Sequence, residues 1–364
     1  MRIAQVAPPF ESVPPSRYGG TERVVATLTD ELVRRGHDVT LFASGDSRTA
    51  ARLIPTIDRA LWGRRPVIES FEPYWAITLG KVLRELGSFD VVHSHLDYYG
   101  FPLARLEQQP VVTTLHGRLD LPDLQPLYAE FSDVPLVSIS DAQRKPMAQA
   151  NWLATIYHGI QLDEYTANTH AGRYLAFLGR ISPEKGVDTA IRVAQAAGMP
   201  IRIAARLPLP YKKDPNVARD WEYYENEVQP LLQGPDVELI GQVGGLQKNN
   251  FLRNAAALLF PIRWPEPFGL VMAEALACGT PVLALDQGSV PEVIQDGVTG
   301  FIRDTEEELV EAVARIAEID RATCRAEAER RFSPETMASA YEGVYGTLLG
   351  QKRAARGPKL RAVS

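Results

Sequence analysis

Tyr174-Leu175-Ala176-Phe177-Leu178-Gly179-Arg180-Ile181-Ser182-Pro183-Glu184-Lys185-Gly186 opens with an apolar run, 174–178, of the length and composition of a buried strand. A polar loop over 179–186 follows it, then a helical stretch over 187–197 that Gly198 closes, then a second apolar strand over 201–205. The start of the chain has the same grammar: a strand over 2–7, a long loop, a helix over 21–35, Gly36, and a strand over 38–43. Two such openings in one chain imply two Rossmann-like halves. Further short apolar runs lie at 91–93, 111–115 and 136–139 and again at 237–240, 258–260 and 281–285, separated by helical stretches. That pattern indicates parallel sheets covered by helices on both faces. The expected fold is α/β: two Rossmann-like, doubly wound parallel-sheet domains facing across a cleft.

The length agrees, since 364 residues exceed what one hydrophobic core usually serves. The polar segment Asn168-Thr169-His170-Ala171-Gly172 stands just ahead of the second opening, which divides the chain into domains 1–170 and 171–333. A last helical stretch, 334–350, has no strand after it and is expected to pack back on the first domain. In the remaining tail, 351–364, Lys352, Arg353, Arg356, Lys359 and Arg361 lie without an acid among them. An unstructured, solvated end is expected there, with peripheral contact to an anionic membrane surface as the alternative.

With 45% hydrophobic and 23% charged residues the composition is that of a globular protein. No stretch approaches the ~18 uninterrupted apolar residues of a membrane span. The first apolar run meets Pro8-Pro9 too soon for a signal-peptide core, so the expected location is the cytoplasm. Cys278 and Cys324, the only cysteines, are too few for a disulfide framework. A formal charge of -6 argues against sequence-independent nucleic-acid binding, which needs a basic surface.

Open parallel sheets bind ligands beyond the carboxyl ends of their strands. Four loops are expected there: Tyr18-Gly19-Gly20, His116-Gly117, 179–186 and 263–269. Gly19 and Gly20 stand at the far end of a long loop rather than directly after the strand, which departs from the GxGxxG fingerprint and weakens a nicotinamide-dehydrogenase reading. In the third loop Ser182 has the chemistry of an N-cap and Pro183 suits a first helical position, which would put Lys185 in the first turn. A cation there is opposed by the helix dipole unless an anion binds nearby. Arg180 and Lys185 therefore converge where a diphosphate would sit. The alternative is a surface pair of cations bonded to local acids such as Glu184.

The fourth loop leads through Trp264-Pro265-Glu266-Pro267-Phe268-Gly269-Leu270 into a helix that carries Glu274. Were both glutamates helical, they would stand about 12 Å apart along the axis and about 80° around it, on different faces. With Glu266 in the loop, both can face one extended ligand. A nucleotide-sugar suits them: one acid for sugar hydroxyls, the other for ribose hydroxyls, and the N–H groups of Phe268, Gly269 and Leu270 toward the diphosphate. The competing reading makes Glu266 a partner of the helix dipole and Glu274 a solvated residue, although the apolar stretch 270–277 is a poor place for a solvated acid. His116 follows the strand at 111–115, where Gly117 leaves room beside it, and is expected in the site opposite Arg180 and Glu266. His93-Ser94-His95-Leu96-Asp97 puts His93, His95 and Asp97 on one side of a strand, a spacing able to hold a metal. It resembles the start of the HxHxDH motif of metallo-β-lactamase-type hydrolases, but Tyr98 stands where that family has its second histidine. Buried polar strand ends, or an acceptor-side wall, fit these residues better.

In combination these residues closely resemble the family 4 retaining glycosyltransferases of the GT-B fold, over roughly residues 1–349. Tyr18-Gly19-Gly20-Thr21-Glu22 with Arg35-Gly36-His37-Asp38-Val39 is similar to the family's opening, 179–186 to its diphosphate clamp, and Glu266 through Glu274 to its paired-glutamate motif. Gly288-Ser289-Val290-Pro291-Glu292 and Gly297-Val298-Thr299-Gly300-Phe301 look like its closing elements.

The resemblance implies a hexosyltransferase that takes its sugar from a UDP-, GDP- or ADP-sugar, needs no metal or other cofactor, and passes the sugar to a glycan, lipid-linked or small-molecule acceptor. It implies that Gly19 and Gly20 approach the donor phosphates or the acceptor by backbone and that His116 bonds the donor sugar. Arg180 and Lys185 would neutralise the diphosphate, Glu266 would hold sugar hydroxyls and Glu274 the ribose, with Tyr18, Asp97 and Tyr98 on the acceptor side. His158 stands where many members carry Asn and is expected to be structural. Ala205-Arg206 lacks the glycine common near the phosphates. A different GT-B activity, a nucleotide-sugar epimerase or a phosphorylase, is the main alternative; a metallohydrolase using His93, His95 and Asp97 is the distant one.

Overall fold

The computed structural model describes residues 1–16, 19–62, 64, 68–106, 109–170, 172–208, 215–234 and 236–355. The chain forms two compact units. Unit 1 is Met1–Ile139 with Arg144–Gly159 and Pro334–Ser364; unit 2 is Ser140–Gln143 with Ile160–Ser333.

Unit 1 is built on a 7-stranded sheet of β1 (Arg2–Val6), β2 (Asp38–Ser44), β3 (Arg52–Ile57), β4 (Val91–Ser94), β5 (Val111–Thr114), β6 (Leu136–Ser138) and β7 (Trp152–Thr155). The order is β3-β2-β1-β4-β5-β6-β7 and every pairing is parallel. Alternation along β1 sorts its side chains. Ala4 and Val6 join Phe42, Trp75 and Val92 in a core under the helix Glu72–Glu85. Ala7, beyond the strand, packs with Val25, Ala26 and Leu41 under the helix Gly20–Arg34. Strand β3 (RLIPTI) is broken by Pro55, and β7 (WLAT) is only four residues long and half-buried, so neither stands out in the sequence.

Unit 2 repeats the plan with six strands: β8 (Leu175–Arg180), β9 (Ile201–Arg206), β10 (Val237–Leu239), β11 (Ala257–Phe260), β12 (Val282–Leu285) and β13 (Gly300–Arg303). The order is β10-β9-β8-β11-β12-β13, again all parallel. Unit 2 begins at Ile160, ahead of the boundary expected at 170/171. The polar segment that suggested that boundary is fastened inside unit 2: Asn168 N–H donates to Cys278 O at 3.0 Å, and the Asn168 carbonyl accepts from Arg321 Nε at 2.7 Å. The short piece 140–143 belongs to unit 2 because the Glu292 carboxylate accepts from the N–H groups of Asp141 and Ala142, at 2.7 Å each.

The last helix, Pro334–Ala355, belongs to unit 1 and packs beside Gly20–Arg34. It extends past 350, so the first residues of the expected tail are helical, while 356–364 lie outside the described residues. The Arg35-Gly36-His37 corner holds this helix. The Arg35 guanidinium donates to Ser339 Oγ at 2.9 Å, Glu342 Oε2 at 2.8 Å and the Glu335 carbonyl at 2.7 Å, and Glu31 braces it at 2.7 Å. His37 Nε2 lies 2.8 Å from Glu342 Oε1. Among the described residues no helix is long and apolar enough to cross a membrane.

Arg35→Ala removes a planar fork that bonds three groups of one helix, and a lysine cannot reproduce it. The variant is expected to lose about 1–3 kcal/mol of stability in urea unfolding, and Arg35→Lys to recover little of it. An Arg35→Ala midpoint equal to wild type would remove this corner as the anchor of the helix.

Candidate functional site

In each sheet the winding reverses beside the first strand: between β1 and β4 in unit 1, and between β8 and β11 in unit 2. Connections leaving the carboxyl ends there diverge and leave a crevice. The residues singled out in the sequence collect at these two places.

In unit 2, Gly179 and Arg180 end strand β8 rather than opening a loop. Residues Pro183–Lys185 form a 3-10 turn, and the helix Val187–Ala196 starts only after Gly186, which occupies the left-handed cap position. Ser182 is therefore not the cap of that helix, and Lys185 precedes its first turn. The cause is the turn itself, which closes with Lys185 N–H on the Ser182 carbonyl at 3.1 Å and Gly186 N–H on the Pro183 carbonyl at 3.3 Å. Arg180 bonds Glu184 and lies 3.5 Å from Asp220, while Arg219 approaches Glu184 at 3.0 Å. The pairing with a local acid, kept open above, is thus what Arg180 adopts. Burial works to raise the Glu184 carboxyl, but a backbone N–H, Arg180 and Arg219 together hold it below its ordinary range.

Lys185 takes a different partner. Its Nζ lies 2.5 Å from Glu266 Oε2, and Trp264 Nε1 donates to the same oxygen at 2.9 Å. Glu266 is in the loop after β11, as expected, with Gly269 at the left-handed cap (φ 74°) of the helix Leu270–Ala277. Phe268 is buried edge-on against Phe332, at 5.8 Å between ring centroids. The Gly288 segment supports Glu266 from below. At φ 58°, a side chain on Gly288 would start 2.4 Å from the Glu266 nitrogen, and Ser289 N–H donates to the Glu266 carbonyl at 2.9 Å. This backbone approach is open only to glycine, and it gives the Gly288–Glu292 motif a physical purpose.

Glu274 is buried, not solvated. Its Oε1 accepts from Lys248 Nζ at 2.6 Å and from the Tyr165 hydroxyl at 2.9 Å. Lys248, Tyr165, Trp264 and Asp220 escaped the sequence reading. Only Lys248 left a signal, a lysine placed on the inner side of a short amphipathic helix, Gly245–Arg253.

In unit 1, Gly19 caps the helix Gly20–Arg34, and Glu22 in its first turn is buried. Burial pushes the Glu22 carboxyl up to about 7, against the help of backbone N–H groups. Tyr18 lies outside the described residues. Strand β4 ends at Ser94, and Asp97 turns away from it with a left-handed backbone (φ 48°), so His93, His95 and Asp97 do not line one side of a strand. Asp97 Oδ1 instead accepts the His116 N–H at 3.2 Å, and burial raises its carboxyl to about 6. Tyr98 packs against Tyr99, with centroids 4.7 Å apart.

The histidines are engaged with the protein. His93 Nδ1 and Nε2 lie 2.8 Å from the Tyr345 hydroxyl and 2.7 Å from Thr114 Oγ1. His95 Nδ1 and Nε2 lie 2.9 Å from His116 Nε2 and 2.8 Å from Gln5 Oε1. With all four nitrogens so bonded, none is left to ligate a metal, and no metal-binding cluster occurs among the described residues. His116 stacks on His158 at 5.2 Å between centroids. Burial lowers His116 to about 3 and holds His93, His95 and His158 well below 6.5.

Two parallel-sheet α/β units, each with polar side chains and a helix start at the carboxyl ends of its strands, have the architecture of GT-B glycosyltransferases, and comparison with known proteins agrees. The chain matches the family model "Glycosyltransferase Family 4" over residues 18–168 and the model "Glycosyl transferases group 1" over 164–334. It belongs to the family 4 glycosyltransferases. Glycogen synthase of Mycobacterium tuberculosis (strain ATCC 25618 / H37Rv) is 27% identical, covering 99% of this chain and 97% of the relative. AviGT4, a glycosyltransferase involved in avilamycin A biosynthesis, is 26% identical, with a TM-score of 0.70 over 96% of this chain and 98% of that one. The fold is shared with Anabaena HepE, solved with UDP-glucose, at 17% identity and a TM-score of 0.71 over 95% of this chain and 100% of that one.

Four buried histidines and two buried carboxyls of unit 1 make its stability depend on pH in a predictable direction. The four histidines stay neutral when folded and take up protons when unfolded below about 6.5, so acid destabilises through them. Asp97 and Glu22, with raised folded pKa values of about 6 and about 7, bind protons earlier in the folded state and act oppositely. Between about pH 4.5 and 6 the four histidines outnumber the two carboxyls, so acidification is expected to lower stability. Urea titrations across that range check it; a flat profile contradicts the buried neutral histidines.

Proposed function

We propose that the protein is a retaining, metal-independent glycosyltransferase that moves a hexose-type sugar from a nucleotide-diphosphate sugar, with UDP-, GDP- and ADP-sugars the candidate donors, to an acceptor hydroxyl. The observation that carries this reading is the 2.5 Å contact between Lys185 and Glu266 at the switch point of unit 2. A nucleotide-sugar presents anionic phosphate oxygens directly beside sugar hydroxyls, and an adjacent cation and carboxylate are complementary to that junction. HepE, of the same fold, has been solved with UDP-glucose.

In this reading Lys185 leaves Glu266 for the diphosphate, Arg180 joins it, and the released Glu266 carboxylate accepts from sugar hydroxyls. Glu274 receives the ribose through Oε2, the oxygen not held by Lys248 and Tyr165. The N–H groups of Phe268, Gly269 and Leu270 face the phosphates. From unit 1, Gly19 and Gly20 contribute backbone N–H groups and His116 a bond to the donor sugar, with Asp97 and Tyr98 on the acceptor side. The sugar carbon–oxygen bond to the β-phosphate breaks, and the acceptor oxygen bonds that carbon on the same face. The acceptor proton passes to the departing phosphate oxygen. Stabilisation of the leaving group is the main catalytic term. Buried, unpaired Cys278 and Cys324 fit a reducing cytoplasm as the place of reaction.

Thermal-shift screening against UDP-, GDP- and ADP-sugars should show one series stabilising the protein in a concentration-dependent way. With that donor, Lys185→Ala is expected to lower the transfer rate by about 10²-fold or more, while EDTA leaves the wild-type rate unchanged. Undiminished transfer by Lys185→Ala would remove the diphosphate clamp; inversion at the sugar carbon of the product would remove the front-face route.

A further inference from the structure

Gln5 lies on β1 between the apolar residues Ala4 and Val6 and is fully buried. Its amide bonds in two directions: Oε1 lies 2.8 Å from His95 Nε2, and Nε2 donates to the Tyr345 hydroxyl at 3.2 Å. A carbonyl oxygen can only accept, so His95 must carry its proton on Nε2. Burial, with His93, His116 and His158 nearby, keeps His95 from taking a second proton. Its Nδ1 is then a bare lone pair, and His116 Nε2, 2.9 Å away, must be the donor. The remaining nitrogen of His116, Nδ1, is buried without a hydrogen-bond partner, which is the acceptor such a chain of donors leaves over. The opposite orientation of the Gln5 amide would reverse every bond and leave an orphan N–H at that atom, the costlier defect in a buried place.

We infer that Gln5 is a positioning residue: through His95 it fixes His116 as the Nε2–H tautomer, so that any hydrogen bond His116 makes to the donor sugar is one it accepts at Nδ1. This rests on the proposed role of His116. It makes the residue selective for a sugar hydroxyl, which can donate, over an ether or carboxylate oxygen, which cannot. It also bars His116 from protonating the leaving group. The other groups facing the His95–His116 pair are His93 and His158 by ring contact, Asp97 on the His116 N–H, and Tyr341 and Tyr345 from the last helix. None of them offers His95 or His116 a carboxylate that would draw a proton onto the rings, since Asp97 is spent on the backbone.

The test is long-range proton–nitrogen correlation NMR on the full chain labelled with 15N-histidine, between pH 5 and 8, with His116 assigned from a His116→Gln sample. The wild type should show His116 uncharged, protonated on Nε2 at every pH. Gln5→Glu keeps the shape but supplies a carboxylate, which draws a second proton onto His95; His95 then donates through Nδ1, and the His116 proton moves to its own Nδ1. In that variant transfer should fall on the order of tenfold, and the loss should deepen toward low pH, which the wild type does not show. A wild-type His116 protonated on Nδ1, or charged in this range, overturns the inference even if Gln5→Glu does not fold. A folded Gln5→Glu variant with unchanged His116 signals overturns it too. Tautomers that behave as stated in a protein that transfers no sugar would uphold the positioning by Gln5 and sink the functional reading instead.

Discussion

A parallel sheet sends every connection out from the same edge, and at the strand where winding changes direction two neighbouring connections part. Both units obey this constraint, and what collects at each crevice depends on it. Beside β1 and β4 the parting connections bring the start of the Gly20–Arg34 helix and the His95–Asp97 corner to one edge. Beside β8 and β11 they bring Arg180 and Lys185 to the loop that carries Glu266. Residues far apart in sequence become neighbours because strand order, rather than sequence distance, decides what lies at the crevice. Gly288 then shows how little slack the arrangement has, for the backbone of the next connection runs directly against that of Glu266.

The charges at the edge of unit 2 are balanced before any ligand arrives. Lys185 and Glu266 keep only 17% and 12% of their side-chain surface exposed, so leaving either ion without its partner would cost several kcal/mol. Arg180 is likewise neutralised, by Glu184 and Asp220. In the proposed reading, binding of a diphosphate sugar would be an exchange: phosphate would replace carboxylate beside the lysine, and sugar hydroxyls would replace the lysine beside the carboxylate. An anion lacking the sugar would win the cation yet strand Glu266. On that reading the pair would favour the whole ligand over its phosphate half, a selectivity that comes from the coupling of two bonds rather than from the strength of either.

The fold was legible because its signals are local. Apolar runs such as 174–178 and 201–205 show as strands without help from the rest of the chain, and Gly36 and Gly198 mark where helices stop. The edge strands β3 and β7 are hard to read because one is interrupted by Pro55 and the other is only four residues long. At the site, residue types and loops were legible while partners were not. Ser182 and Pro183 have the chemistry of a helix start, yet a 3-10 turn closes first, a choice made by two backbone bonds that no side chain advertises. The apolar stretch around Glu274 forecasts its burial, but the partners that compensate the buried carboxylate, Lys248 and Tyr165, lie on other elements. The histidines at 93 and 95 resembled metal ligands only as long as their neighbours in space, Gln5, Thr114, His116 and Tyr345, were unknown.

Those neighbours explain why so many polar groups lie at the centre of unit 1. Tyr341 and Tyr345 are four residues apart and so project from one face of the last helix, where one hydroxyl meets Thr114 at 2.9 Å and the other meets His93 and Gln5. Apolar side chains of equal volume would bind that helix as firmly, because burying polar groups contributes little net stability. They would not register it. Sliding the helix by one turn over an apolar surface costs little, whereas here it would orphan two hydroxyls, an amide and an imidazole in a dry interior, each by about 1–3 kcal/mol. The polar column therefore sets position more than strength. It ties the end of the chain to the strand on which His95, and through it His116, takes its orientation, so a helix remote in sequence from every loop of the site helps to determine which nitrogen of His116 carries the proton.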